Sequence, residues 1–449
     1  MTTLKAVTWW GPQTDLAVAN FPISGEVFPL AVIYEIARIK GAAVIINASL
    51  SVLPLDSEAV AAVTAVAAEI TAGRWDEQFP VDVFQTGSGT SSNMNVNEVI
   101  ARLATSRVNG PTPIHPNDHV NASQSSNDVV PTAVHLAVDR ALRAHLIPAA
   151  DELRSALRDK ADAWADVVKA GRTHLMDAVP VTLGQEFGGY ARAIELGLER
   201  IADARVRLQE LPLGGTAVGT GLNAPAGFAA RVIEALAAEA GVPFREAVDH
   251  FEAQGGRDAL VEVSAACRSL AISLNKLAND LRWMGSGPAA GLGELSLPSL
   301  QPGSSIMPGK VNPVIPEVVC QVVAQVIGND AAVAFAGASG SFELNVMIPV
   351  IARNVLSCVA LLGAACSVLA RRCIAGLTAD VTHLRDMASK SPAVVTALAT
   401  LIGYDVATAV VKEAQSTGRS ILDVVVARGL LGPEEAAVAL DIDQMARPR

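Results

Sequence analysis

The apolar residues Leu260, Val263, Cys267, Leu270, Leu274, Leu277 and Leu281 recur at alternating steps of three and four. A strand, with its period of two, would scatter them over both faces. A helix lines them up on one, and the average step of 3.5 adds a gentle left-handed supercoil. The stretch therefore predicts a long bundle helix. Residues 183–211 and 343–372 have the length to pair with it, and Pro349 should kink the second of these early. Helical spacing also marks 28–46, 57–72 and 129–156, with Pro131 near the first turn of the last. No strand-rich segment supports an α/β sheet. The glycines of 287–293 follow a helix, which removes a dinucleotide-binding or phosphate-loop reading. The expected fold is mainly α, built on a central long-helix bundle.

Composition bears on what surrounds that bundle. Of 449 residues, 51% are hydrophobic and only 18% charged, so much surface should be hidden by self-association. The net charge of −11 argues against nucleic acid as a partner. It also means that an anionic substrate must be held by local positive charge. The 5 cysteines, Cys267, Cys320, Cys358, Cys366 and Cys373, lie in apolar helical patterns with no CxxC pair. They read as buried free thiols, which fits a reducing cytoplasm. Residues 1–10 lack a signal-peptide core, and the apolar run 355–370 stops at Arg371-Arg372, short of the ~18–20 residues of a membrane span. It reads as a buried helix, with no membrane partner.

Against this apolar background, a few polar stretches stand out. Gly303-Ser304-Ser305-Ile306-Met307-Pro308-Gly309-Lys310-Val311-Asn312-Pro313 lies in a region, 285–313, that shows neither helical nor strand period. Its glycines let backbone N–H groups turn inward beside one ammonium, which suits an anion. An ordinary helix connection would explain the composition too, but structureless loops beyond about 12–15 residues are uncommon in compact domains. Leu292, Leu295, Leu297, Leu300, Ile306 and Met307 argue for burial and against disorder.

Residues 85–98 hold Ser88, Thr90, Ser91, Ser92 and Asn93 before a helix expected over 96–106, which Ser91 or Ser92 can cap. A cap needs one such residue, so the surplus points to an anion pocket. Ser125, Ser126 and Asn127 form a second polar helix entrance. His115-Pro116-Asn117-Asp118-His119 lacks further ligands at metal spacing and reads as a hydrogen-bonded turn. Gly171-Arg172-Thr173-His174 and the glycine-rich 214–221, a flexible turn, are expected as loops interrupting the bundle. From about residue 375 the helices shorten and become more charged. Together these loops offer hydroxyls and amides, Lys310, His174, and Glu317 at the start of the next helix. Such a set suits a small, doubly charged carboxylate substrate.

Five stretches carry a family resemblance: 86–101 (TGSGTSSNMNVNEVIA), 115–128 (HPNDHVNASQSSND), 171–187 (GRTHLMDAVPVTLGQEF), 214–223 (GGTAVGTGLN) and 303–313 (GSSIMPGKVNP). In this order and over nearly the whole chain, the sequence resembles the class II fumarases of the fumarase/aspartase superfamily. The resemblance implies a three-domain fold with regions at 1–123, 124–378 and 379–449. It implies reversible hydration of fumarate to L-malate without metal or organic cofactor. It also implies a cytoplasmic homotetramer whose active sites take loops from several subunits.

Carried over by motif position, Ser304 is the expected base, and Lys310 and Asn312 bind the carboxylate that takes up charge. His174, paired with Glu317, handles the water. Ser88, Thr90, Asn93, Ser125, Ser126, Asn127, Thr173 and Ser305 complete the substrate pocket, and His115, Asn117 and Asp118 correspond to a second anion site. Met176 stands where Gln is common in the family, and His119 where many relatives have Asp. Two alternatives stay open from the residues: an aspartate-type ammonia-lyase, where relatives carry Gln at the place of His174, and a non-catalytic structural member of the superfamily.

Overall fold

In the computed structural model, residues 7–109 and 113–447 are described. The heptad stretch is one helix, Asp258–Met284, and each of its seven seam residues is buried. The helices Leu183–Leu208, Val314–Gly337 and Ile348–Leu369 are of similar length. Pro349 occupies the first turn of the last one, where its missing N–H costs nothing. It therefore starts the helix, and the kink expected of it does not arise. With the π-turn Ala370–Ile374 this helix is apolar and long enough to cross a membrane by length and composition, as is Val314–Gly337. The apolar run 355–370 thus lies inside a helix that is mostly buried, as expected.

The chain divides into two compact units, 1–148 with 197–271 and 323–363, and 149–196 with 272–322 and 364–449. Each long helix gives part of its length to each unit. In the first unit, Leu30–Ser49 packs against Ser57–Thr71 and Ser126–Ala141. Val32, Ile33, Ile36, Val63, Val66 and Val134 are buried there. Each such side chain contributes about 1.5–3 kcal/mol through removal from water.

The second unit holds the main departure from the expected loops. Residues 168–182 form an antiparallel hairpin, Val168–Thr173 paired with Met176–Thr182. The register sets Thr173 opposite Met176, so His174 and Leu175 alone make the turn, at φ +55° and +61°. This is the two-residue turn whose twist matches that of a hairpin, and it normally uses Asn or Gly. Non-glycine residues there cost about 1 kcal/mol or more each, which hides the hairpin from propensity reasoning. The hairpin is rooted by Val168 and Ala170, which pack with Ala388, Val394, Ile442 and Ala446 of the C-terminal helices. A second small core, Leu398, Val410, Val424, Val425 and Ala436, closes that C-terminal segment.

Candidate active site

In the first unit the polar stretches form a connected hydrogen-bonded cluster. The helix expected from residue 96 begins at Thr90 instead, with Gly89 as N-cap at φ +75°. Neither Ser91 nor Ser92 caps it. The Gln85 side chain takes that role, its Oε1 accepting from Ser92 N at 3.0 Å. The early start places hydroxyls on the first turn. Ser88 Oγ lies 2.6 Å from Thr90 Oγ1, and Thr90 Oγ1 lies 2.7 Å from Ser126 Oγ. This chain of hydroxyls joins two loops 36 residues apart in sequence. Close approach depends on glycine here: a Cβ on Gly87 would sit 1.8 Å from Val346 O, and one on Gly89 2.7 Å from Val130 Cγ1.

Ser125 caps the helix Ser126–Ala141 in a capping box, its Oγ accepting from Asn127 N and Asp128 Oδ1 accepting from Ser125 N. Asp128 Oδ2 accepts from the N–H groups of Gly214 and Thr216, both at 3.0 Å. Asn127 Nδ2 donates to Ala217 O. The 214–221 stretch, read from the sequence as a flexible turn, is thereby pinned onto the entrance of that helix. Burial pushes the Asp128 carboxyl above its ordinary pKa, against the pull of those N–H donors. Asn93 is buried with its Nδ2 on Asn121 Oδ1.

His115 and Asp118 close the π-turn Pro116–Val120 on itself. His115 Nδ1 accepts from Asp118 N at 3.1 Å, and Nδ1 of His119 accepts from His115 N. Asn117 is exposed. Among the described residues no group of three His, Cys, Asp or Glu side chains is placed to hold a metal ion.

In the second unit the 303–313 loop closes on itself. Gly303 N donates to Lys310 O at 2.9 Å, and Asn312 Nδ2 donates to Gly303 O at 2.7 Å. The loop surrounds a hollow of about 450 Å³ lined by Ser304, Met307 and Lys310 among others. Ser304 Oγ accepts from the N–H groups of Ile306 (3.2 Å) and Met307 (3.1 Å). Lys310 and Ser305 are exposed, and Asn312 and Glu317 half-buried.

The expected burial of this region holds only in part. Leu295 is buried and Leu292 and Leu297 are half-buried, but Leu300, Met307 and especially Ile306, at 82%, are exposed. Burial by neighbours in the same chain is what the sequence reasoning assumed, and the loop has few of them. Thr173 and His174 are exposed at the hairpin tip, and no hydrogen bond or ion pair joins His174 to Glu317 within the chain.

Known proteins resemble the chain over nearly its whole length. Residues 2–328 match a lyase family, and residues 394–447 match the C-terminal domain of fumarase C. The class II fumarate hydratase of Mycobacterium tuberculosis (strain ATCC 25618 / H37Rv) is 56% identical over 99% of this chain and 94% of its own length. That of Corynebacterium glutamicum is 53% identical over the same shares.

The chain belongs to the class II fumarases.

Solved structures agree. A class II fumarase from Schistosoma mansoni superposes with a TM-score of 0.95 at 34% identity, over 98% of this chain and 96% of that one. A fumarate lyase:delta crystallin from Brucella melitensis bound to cobalt gives 0.93 at 43% identity, over the same shares. The mainly helical architecture is therefore the fumarase/aspartase fold, and the enzyme is a hydro-lyase of the fumarate hydratase type acting on a dicarboxylate.

One part of this fumarase escaped sequence reasoning altogether. Behind the hairpin tip, Lys169 Nζ donates to Glu186 Oε1 (2.9 Å) and Oε2 (2.8 Å) and lies 3.2 Å from Glu294 Oε2. Arg172 Nη2 donates to Glu294 Oε1 at 2.7 Å. Lys169 and Glu294 are fully buried. Removing one member would strand its partner's charge out of water, so the cluster fixes the hairpin strongly. Burial raises the Glu186 carboxyl, opposed by Lys169. The cluster borders a cleft of about 670 Å³ lined by Arg172, His174, Glu186, Tyr190, Lys276 and Trp283. The only signal in the sequence was a lysine set among Val167, Val168 and Ala170.

Proposed function

We propose that hydration proceeds with Ser304 as the base at the carbon that gains or loses a proton. The observation that carries this is the pair of backbone N–H groups, from Ile306 and Met307, aimed at Ser304 Oγ. A serine hydroxyl is a weak base. Two fixed donors favour its alkoxide and leave the hydroxyl proton free to point elsewhere. In the malate-to-fumarate direction, loss of the proton leaves a carboxylate with enolate character. Lys310 and Asn312 stabilise that species more than the ground state, which is what lowers the barrier. His174, with Glu317, protonates the departing hydroxide or orients the attacking water. Ser88, Thr90, Asn93, Ser125, Ser126, Asn127, Thr173 and Ser305 hold the substrate carboxylates. His115, Asn117 and Asp118 form a second, weaker anion site.

The enzyme works as a cytoplasmic homotetramer whose sites take loops from different copies, and its family division is into regions 1–123, 124–378 and 379–449. The exposed apolar residues support self-association. Val318, Ile327 and Phe335 on the Val314–Gly337 helix lie open, as do Ile272 and Trp283 on Asp258–Met284. Phe342 is 94% exposed. Open aromatic and aliphatic groups on long helices are what a bundle of subunits covers.

The test is direct. L-malate should give rising ultraviolet absorbance as the conjugated double bond forms, while L-aspartate gives none. A rise with aspartate alone would establish an ammonia-lyase, and no change with either a structural protein.

A further inference from the structure

Lys40 lies in the middle of the Leu30–Ser49 helix and is fully buried. Taking an ammonium out of water costs several kcal/mol unless something offsets it. No carboxylate forms an ion pair with it among the described residues. Its Nζ donates to Asn121 Oδ1 at 2.6 Å. The same oxygen accepts from Asn93 Nδ2 and from Asn97 Nδ2, each at 3.2 Å. Asn121 Nδ2 in turn donates to Gln124 O at 3.2 Å.

One amide therefore gathers the Thr90–Thr105 helix, the turn after Val120 and the run leading to Ser125, and Lys40 supplies its shortest bond. The second influence of Lys40 is through space. Its charge favours the ionised form of Asp128, whose carboxylate holds Ser125, Gly214 and Thr216 by their N–H groups. Burial lowers the Lys40 amine to about 7, against the pull of Asp128. An arrangement that keeps so costly a group in the core, under three polar loops, has a use beyond packing, since a methionine would fill the same space more cheaply.

We propose that Lys40 is a positioning residue for the substrate carboxylate pocket, fixing through Asn121 both Asn93 and the run from Gln124 into Ser125. It does not touch substrate. Its action depends on Asn93 and Ser125–Asn127 being substrate-binding residues, as assigned above.

Lys40→Met is the first variant, because Asn121 Oδ1 keeps two donors and the core keeps its volume. We expect KM for both fumarate and L-malate to rise about 10-fold or more, with kcat changed much less, because a misplaced Asn93 weakens binding in ground and transition state alike. Asn121→Ala should give the same split, and the double variant should be no worse than the more damaging single one, since both substitutions cut the line through Asn121.

A Lys40→Met enzyme with wild-type KM overturns the proposal, as do strictly additive effects of the two substitutions. Should Lys40→Met fail to fold, Asn121→Ala alone decides, and wild-type KM in that variant overturns it. Asn93→Ala separates the two levels. If it leaves KM unchanged, the assignment of the pocket is at fault. If it raises KM while Lys40→Met does not, the role given to Lys40 is.

Discussion

The two polar regions of this fumarase are built on opposite principles. The Ser88–Ser126 hydroxyl cluster in the first unit is finished within one chain. Its hydroxyls bond one another across 36 residues, its glycines are packed too tightly for a Cβ, and its capping carboxylate is buried. The 303–313 loop in the second unit is tied to itself and to the first turn of the next helix, and Ile306 stands open to solvent. On the roles proposed above, the difference separates recognition from chemistry. A carboxylate pocket gains from rigidity because ordering costs are met on folding and not on binding. A loop carrying the proposed base and cation would have to admit substrate before holding it, which an open, self-bonded loop allows.

The largest expected effect sharpens that contrast on the loop side. Ser304→Ala should lower kcat by about 1,000-fold or more, because the proposed base is lost and no neighbour replaces it. Native molecular mass by light scattering should stay at the wild-type value. Turnover near wild type would show that the loop carries no base.

On the pocket side, the corresponding substitution is Thr90→Val, which keeps shape and removes the central hydroxyl of the Ser88–Thr90–Ser126 chain. It strands two hydroxyls and should raise KM about 10-fold with a smaller change in kcat. A change confined to kcat in steady-state assays would mean that the pocket takes part in the chemistry, and the contrast would fail.

The last effect concerns stability, not turnover, and again falls in the first unit. His135 is buried, its Nδ1 beside the carbonyls of Leu208 and Glu210. Burial, helped by the charge of Arg257, lowers its pKa to about 4. Between about pH 6.5 and 4 the unfolded chain binds a proton that the folded chain refuses, so stability falls as pH falls through that window, by at most about 1.4 kcal/mol per pH unit. Urea midpoints measured across that range should drop more steeply for the wild type than for His135→Gln. Parallel slopes would show that His135 takes up its proton while folded.

The sequence made the bundle legible because a heptad seam has a single geometric solution. The motifs were legible because five of them occur in order. What it concealed follows from contacts that spacing and propensity do not register. The helix at Thr90 starts early because Gln85 folds back to supply the missing cap, a contact that spacing rules do not register. The hairpin at 168–182 turns on His174 and Leu175, residues that turn preferences disfavour, and it is held there by Glu294, 122 residues beyond Arg172. The 214–221 turn looked flexible because its partner, the carboxylate of Asp128, lies 86 residues earlier. The exposure of Ile306 was missed for a different reason: apolar content implies cover, but does not say which chain provides it.

Mixing inactive variants tests the central claim most directly. Ser304→Ala and Asn93→Ala chains, each nearly inactive alone at low substrate, are unfolded together, refolded as hybrids and assayed against fumarate. If the finished pocket of one copy works with the open loop of another, random hybrids regain about a quarter of the wild-type rate, because one combination in four restores both halves of a site. Hybrids no more active than the two parents averaged would contradict the account and place both halves of each site on one chain.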